Sequence, residues 1–422
     1  MTTVSHVLRE RGFIYQYTDE DMFRQLDEKP QVFYIGFDPS ADSLHIGNLI
    51  PIMSMMHLQR AGHKPIAIVG GGTGLVGDPS GKTEMRQLLD RDTMDRNVAG
   101  ITQVLTKYLD MDKTIVLNNA DWLGKLNYID MLREFGRHIS VNRMLAAESV
   151  KTRLEKGLSF LEFNYMILQA YDFYYLCREY GCRYQFGGQD QWGNIVQGID
   201  IIRRKLQKTA YGATWPLIVK PNGEKYGKTE AGAVWLSKDK LSPYQYYQFF
   251  RNVEDCDVKR FLLLYTFLPM EEAERLAALQ PPLLNRAKEI LAFEATRITH
   301  GLQDAQAAFQ ESTRLFGQAD PNGQVATSSA ITRTPGPSSD IAAVSVADLD
   351  VAAGIPLVDF LVDQQIFPSK GQARRMISQG GVYLNDQRLD DPSYTLTGRD
   401  FPQGDLLLRK GKKRYYRFTM NE

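Results

Sequence analysis

The sequence predicts an α/β protein: a parallel-sheet domain first, an α-helical domain after it, and a small α+β module at the C-terminal end. Three observations carry this. Short apolar runs alternate with longer helical patterns through the first half, and the stretch from about Leu241 to Phe316 has helical period with no convincing strand. A compact apolar pattern then returns after a Gly-, Pro- and Ser-rich interruption.

In chain order, Gln31–Phe37 reads as a strand, Gly47–Ala61 as a helix, Pro65–Val69 as a strand, Met85–Leu109 as a helix and Thr114–Asn118 as a strand. That alternation implies βαβ units, whose strands lie parallel because each helix crosses back over the sheet. Ser159–Tyr180 reads as one long helix. Gly317–Val351, which includes Thr334-Pro335-Gly336-Pro337-Ser338-Ser339, cannot bury a core and reads as a linker. The resulting divisions are 1–238, 239–317, 318–350 and 351–422, with no internal repeat.

A chain of 422 residues is too long for one hydrophobic core, so separate functional modules are expected. Fifty basic and fifty acidic side chains cancel. This removes any global electrostatic argument for a nucleic-acid or membrane partner and leaves only local patches. Cys177, Cys182 and Cys256 form no paired ligand spacing, and the six histidines are scattered, so no protein-ligated metal is expected. The odd cysteine count fits a reduced compartment. Glu10, Asp19, Glu20 and Asp21 stand where a targeting peptide avoids acids, and no apolar run has membrane length. A cytoplasmic enzyme is the expectation.

Strand-like Val32–Phe37 runs into Asp38-Pro39-Ser40, then His45-Ile46-Gly47-Asn48 at the start of a helix. Free N–H groups and the positive helix end make such a start a seat for phosphates, and His45 can donate to a phosphate oxygen. An ordinary loop with a capping histidine reads equally well from the tetrad alone. Far downstream, Lys225-Tyr226-Gly227-Lys228-Thr229 sets two ammonium groups around a glycine in a segment that reads as a mobile turn. Closing on a triphosphate, they would neutralise charge on departing pyrophosphate; a solvated charged hairpin is the plainer alternative. The two motifs are specific together.

Gly72 to Gly77 satisfies the G-x-G-x-x-G fingerprint, so a nicotinamide oxidoreductase is a rival. The fingerprint belongs at the first βα turn and here follows the second strand. Gly81-Lys82-Thr83 imitates the end of a P-loop, but Val76 stands where its first glycine belongs. On the long helix, Tyr165, Gln169 and Asp172 fall on one stripe among apolar neighbours, facing either a ligand or other core polar groups.

With His45-Ile46-Gly47-Asn48 as a HIGH-type signature and Lys225–Thr229 as a KMSKS-type loop, the chain resembles the class I aminoacyl-tRNA synthetases, and within them the bacterial tyrosyl branch. The resemblance covers the Rossmann-like catalytic half, the helical domain on the anticodon side and the C-terminal module. It implies tyrosine, ATP with Mg2+ and tRNA(Tyr) as substrates, and a homodimer. It assigns His45, Asn48, Lys82, Arg86, Lys225, Lys228 and Thr229 to catalysis, Lys82 and Arg86 on the pyrophosphate side. Tyr34 and Asp172 would meet the phenolic hydroxyl, while Asp78, Tyr165 and Gln169 would meet the ammonium group. Gln191 would lie near the reacting carboxylate, Gly188 and Asp190 at the ribose, and Gly36, Asp38 and Gly47 beside ATP. Asn48 departs from the signature's usual final histidine, and Ile35 and Pro51 stand where other members offer polar groups.

In the tail, Lys370, Arg374 and Arg375 share one helical face ahead of Gly380–Asn385, as in a small RNA-binding module shared with a ribosomal small-subunit protein. Arg409, Lys410, Lys412, Lys413, Arg414 and Arg417 follow, interleaved with Tyr415 and Tyr416. A phosphate-gripping surface and a merely solvated basic end are the two readings. A non-catalytic RNA-binding protein of synthetase descent is a third class, against which the intact lysine loop argues.

Overall fold

The computed structural model describes residues 2–80, 89–155, 157–219, 226–229, 232–331, 343–346, 354–364, 366–385, 387–401, 405–411 and 414–420. Contacts divide the chain into two compact units, residues 1–303 with 327–329, and residues 304–326 with 330–422.

The first unit is built on six strands: β1 (Gln16–Tyr17), β2 (Val32–Phe37), β3 (Lys64–Val69), β4 (Ile115–Asn118), β5 (Tyr184–Gly188) and β6 (Tyr211–Trp215). Their order is β1-β6-β5-β2-β3-β4, parallel throughout except for the β1 edge. Central β2 and β3 are almost wholly buried, which explains their continuous apolar runs: a parallel sheet covered on both faces needs no polar alternation. Tyr34 pairs with Ile66 on one side and Gln185 on the other, so its ring stands over the middle of the sheet.

The long helix is Phe160–Tyr180. Ser159 and Glu162 form a reciprocal capping box at its start, and Gly181, at φ +64°, ends it in the left-handed conformation that glycine tolerates. It packs on the helix Trp192–Leu206, where a Cβ on Gly198 would lie 3.0 Å from the Phe173 ring. The expected helix Gly47–Ala61 instead begins as a three-residue 3-10 turn, Ile46–Asn48, and becomes α-helical over Leu49–Arg60. The expected helix Met85–Leu109 is observed as Arg91–Leu105, because the Asp90 side chain caps it by accepting from Thr93 N–H at 2.8 Å; Met85–Leu88 lie outside the described residues.

Helices Pro243–Arg251, Val258–Tyr265, Met270–Ala277 and Leu284–His300 complete the first unit. The buried Arg11 guanidinium ties the N-terminal helix Val4–Glu10 to them, donating to the carbonyls of Leu263 and Thr266 at 2.9 Å each and of Leu268. No helix among the described residues is long and apolar enough to cross a membrane.

Two residue pairs, β7 (Lys228–Thr229) and β8 (Gly232–Ala233), form a small antiparallel ladder in the first unit. The second unit contains β9 (Ala343–Val346), β10 (Ile355–Pro356), β11 (Val382–Leu384), β12 (Gln387–Leu389), β13 (Thr395–Leu396), β14 (Asp405–Lys410) and β15 (Arg414–Met420). Five of these make a sheet in the order β12-β11-β14-β15-β9. β9 lies in the stretch read from sequence as linker; four residues pair in parallel with β15 there. Leu357, Phe360, Leu361, Ile377, Leu406 and Leu408 anchor this unit's core.

Candidate active site

The cavity of about 400 Å³ in the first unit lies at the carboxyl ends of β2, β3, β5 and β6, where open parallel sheets bind ligands. Tyr34, Gly36, Asp38, Asp78, Tyr165, Gln169 and Asp172 line it. So do His45, Gly47, Asn48, Gly188, Asp190 and Gln191. Lys82, Arg86 and Lys225 lie outside the described residues, as do Lys412 and Lys413 of the tail; the backbones of Lys228 and Thr229 form β7.

Three hydrogen-bonded chains shape the wall. Asp172 accepts from Trp122 Nε1 at 2.7 Å and from Asn119 Nδ2 at 2.9 Å. Asn119 also donates to Thr73 Oγ1 at 3.0 Å and accepts from Gly72 N–H at 2.8 Å. In the second chain, Gln191 donates to Asp78 at 2.8 Å, while Asn194 donates to both Gln191 and Gln169, at 3.1 and 2.9 Å. In the third, the Tyr165 hydroxyl reaches both oxygens of Asp38 at 3.0 Å.

Burial makes these carboxylates unusual. It pushes Asp172 up to about 7 and Asp78 up to about 6, with the Asp38 charge adding to both and the hydrogen bonds opposing. Burial, then the Asp172 charge, raises the Tyr34 phenol well above its ordinary range. The Tyr34 hydroxyl is buried with no hydrogen-bond partner. An orphaned hydroxyl in a cavity wall is costly unless a ligand satisfies it, so the site suits a ligand that brings a hydrogen-bonding group to this point.

At the signature, His45 Nδ1 accepts from Gly47 N–H at 3.0 Å, and Asn48 Oδ1 accepts from His45 N–H at 3.2 Å. A neutral ring accepting at Nδ1 carries its proton on Nε2. Asn48 therefore caps the turn at the His45 backbone, while Gly47 N–H holds the imidazole ring. Ile35 and Pro51 line the cavity as apolar surface.

The signature and the lysine turn meet. Ile46 N–H donates to Val234 O at 2.8 Å, Leu236 N–H to Leu44 O at 2.9 Å, and Val234 N–H to Gly227 O at 3.0 Å. Gly227 has φ +91°, and a Cβ there would lie 2.2 Å from Cγ2 of Ile46. Only glycine fits, for conformation and for space.

The glycine-rich stretch answers the dinucleotide rival. Thr73–Leu75 is a three-residue 3-10 turn, and the chain runs on to Ser80 without the helix such a fingerprint must open. A Cβ on Gly70 would stand 2.4 Å from Thr73 Oγ1 and 2.7 Å from Asp38 Oδ1, so these glycines serve close packing behind Asp38. Sequence reasoning missed Thr73, Asn119, Trp122 and Asn194. Asn119 and Trp122 follow the end of β4, and the rule that ligands gather at strand carboxyl ends would have drawn attention to them.

In the second unit, the helix Lys370–Ser378 buries Ala373 and Ile377, leaving Arg374 and Arg375 exposed. Lys370 pairs with Asp359 at 3.0 Å. Two of the tail's basic residues are used internally: Lys410 Nζ donates to Ile366 O at 2.6 Å, and Arg409 stacks 3.6 Å from the Tyr383 ring centre.

Comparison with known proteins bears on all of this. The family model of class I tRNA synthetases (W and Y) matches residues 26–317, and the tyrosine–tRNA ligase SYY-like C-terminal domain matches residues 339–418. The tyrosine–tRNA ligase of Clostridium tetani is 48% identical over 420 residues, 99% of each chain. That of Clostridium botulinum (strain Langeland) is 48% identical over 424 residues, the whole of both chains. The crystal structure of a C-terminally truncated mitochondrial tyrosyl-tRNA synthetase from Aspergillus nidulans superposes with TM-score 0.67 at 30% identity, covering 75% of this chain and 95% of that one.

The contact between the two motifs gives a direct test. Gly227→Ala is expected to lower the unfolding free energy by about 1–3 kcal/mol, the cost of a strained left-handed alanine and of displacing Ile46. Urea unfolding measures it, and an unchanged midpoint and slope would mean that the turn does not rest on Ile46.

Proposed function

We infer the reaction from one premise: the chain belongs to the class I tRNA synthetases of the W and Y family. It acts as a tyrosine–tRNA ligase. The tyrosine carboxylate attacks the α-phosphate of ATP to give tyrosyl-adenylate and pyrophosphate, and a terminal ribose hydroxyl of tRNA(Tyr) then attacks the tyrosyl carbonyl, releasing AMP. The observation that carries this reading is the packing of Gly227 against Ile46 beside the cavity that holds the Tyr34 hydroxyl and Asp172.

The polar groups of the wall support the tyrosine roles that the family resemblance implies. Tyr34 and Asp172 receive the phenolic hydroxyl, and a phenylalanine would leave both unmatched. Asp78, Tyr165 and Gln169 hold the ammonium group, and Gln191, bonded to Asp78, sits at the carboxylate. Asp190 and Gly188 serve the ribose, and Gly36, Asp38 and Gly47 line the path of ATP. His45, its ring held by Gly47 N–H, donates to the phosphates while Lys225, Lys228 and Thr229 balance charge on the leaving pyrophosphate, with Lys82 and Arg86 assisting. Mg2+ enters with the ATP phosphates as part of the substrate. No enzyme nucleophile is needed; the protein supplies position and charge.

ATP–pyrophosphate exchange measured with each of the twenty amino acids tests reaction and substrate together. Tyrosine alone is expected to support exchange, and its failure to do so removes the reading. His45→Ala is expected to slow adenylate formation by roughly tenfold or more while leaving tyrosine affinity nearly unchanged.

Acid should weaken tyrosine binding. Burial raises Asp78 to about 6, so as pH falls through that value the carboxylate takes up a proton and the ammonium group loses its counter-charge. The tyrosine Kd is expected to climb roughly tenfold per unit below the Asp78 value from this group, with protonation of Asp172 at about 7 adding its own change above it. Equilibrium dialysis across that range checks it, with Asp78→Asn weak and lacking the step at about 6 while keeping any change from Asp172 at about 7; a wild-type profile with no step at about 6 excludes Asp78 as the ammonium partner.

The tail binds tRNA outside the acceptor stem, through Lys370, Arg374, Arg375, Lys412 and Lys413. Arg374 and Arg375, exposed beside a buried stripe, support this. Deleting the chain from about Val351 onward is expected to spare adenylate formation and weaken charging, with a salt-sensitive defect largest at low salt because the lost contacts are the salt-dependent ones; full charging by the truncated enzyme excludes it. A homodimer belongs to the same reading. Ile129, Leu132, Val141, Leu145, Phe160 and Leu161 are exposed apolar side chains, Phe160 at 70%. Sedimentation as a monomer at micromolar concentration would remove the dimer. We assign the enzyme to the cytoplasm, a location that cell fractionation tests.

A further inference from the structure

Residues at both feet of the lysine loop make contacts that the reading above leaves without a role. Tyr226 directly precedes Gly227. Its backbone N–H donates to Ile218 O at 3.1 Å, and its hydroxyl donates to Oδ2 of Asp257. The other Asp257 oxygen accepts from Nη2 of Arg260 at 2.6 Å, and that same nitrogen donates to Val219 O at 3.2 Å. One carboxylate thus gathers Tyr226 on the far side of the loop and, through Arg260, Val219 on the near side.

Asp257 is buried at 6% exposure, immediately ahead of the helix Val258–Tyr265. An aspartate there would ordinarily cap the helix, yet its side chain makes no capping hydrogen bond. Its carboxylate oxygens accept from Tyr226 and Arg260 instead. The Tyr226 ring packs edge-on against Phe261, with centroids 4.9 Å apart, and against Phe249 at 6.4 Å. The residue that sits on Ile46 of the signature, Gly227, therefore follows one that is fastened to the helical part of the same unit.

We propose that Tyr226, Asp257 and Arg260 form a latch of positioning residues that holds the lysine turn against the signature tetrad for adenylate formation. The proposal rests on the ligase reading. A hydrogen bond to a buried carboxylate is stronger and more directional than one between neutral groups, so the latch fixes orientation before charge develops on the departing pyrophosphate. Its loss acts on the rate of activation. Tyrosine binding is spared, because the groups assigned to tyrosine lie on β2, on the chain following β3, on the helix Phe160–Tyr180 and at the end of β5.

Tyr226→Phe removes the hydroxyl and keeps the ring. The single-turnover rate constant of adenylate formation at saturating substrates is expected to fall roughly tenfold, with tyrosine Kd within about twofold of wild type. Asp257→Ala is expected to lower the rate at least as far, and the double variant no further than Asp257→Ala alone, because the two changes remove one shared bond. A rate for Tyr226→Phe equal to wild type overturns the latch. So do multiplicative losses in the double variant, or a loss of tyrosine affinity in step with the rate. A wild-type enzyme that forms no adenylate with tyrosine fails the ligase reading instead.

Discussion

The short backbone stitch between Leu44–Ile46 and Val234–Leu236 is the constraint on which the active site depends. Each hydrogen bond in it is worth little net stability, on the order of 1 kcal/mol. Its importance is geometric. It closes the chain between the two charged motifs and sets Gly227 on Ile46, so that an imidazole and the lysine turn belong to one cleft. Electrostatic catalysis needs that arrangement in advance, since reorganising dipoles at the moment of reaction would forfeit most of the gain.

Beside the stitch, the cavity combines apolar walls with polar groups buried at a cost. Asp172 and Asp78 are held well above ordinary carboxylate values by burial, and the Tyr34 hydroxyl has no partner. A protein keeps such groups where a ligand repays their desolvation, and the same cost becomes discrimination when a ligand lacks the matching atom. The scaffold behind them is ordinary: Trp122 and Asn119 orient Asp172, and Asn194 orients Gln191 and Gln169. These supporting residues fix rotamers that the pocket residues alone would leave free.

The sequence reads the helical segment as a separate module, but it belongs to the first unit and contacts the lysine turn there. Arg11 fastens the N-terminal helix to the end of Val258–Tyr265, and Asp257 at the head of that helix fastens Tyr226. The lysine turn is thereby tied by hydrogen bonds to the same helices that Arg11 fastens.

The sequence by itself determined the parallel-sheet architecture, the long helix with its stripe of Tyr165, Gln169 and Asp172, and the pairing of a signature tetrad with a lysine turn. Periodicity, the Ser159 capping box and glycine at special positions are local signals, legible one segment at a time. Tertiary structure decided the rest. That Gly227 touches Ile46, that Asn119 and Trp122 hold Asp172, that Asp257 serves Tyr226 rather than its own helix, and that β9 emerges within a linker-like stretch all depend on contacts between distant segments. No local pattern encodes such contacts, since a buried asparagine and an exposed one read alike until the chain has folded around them.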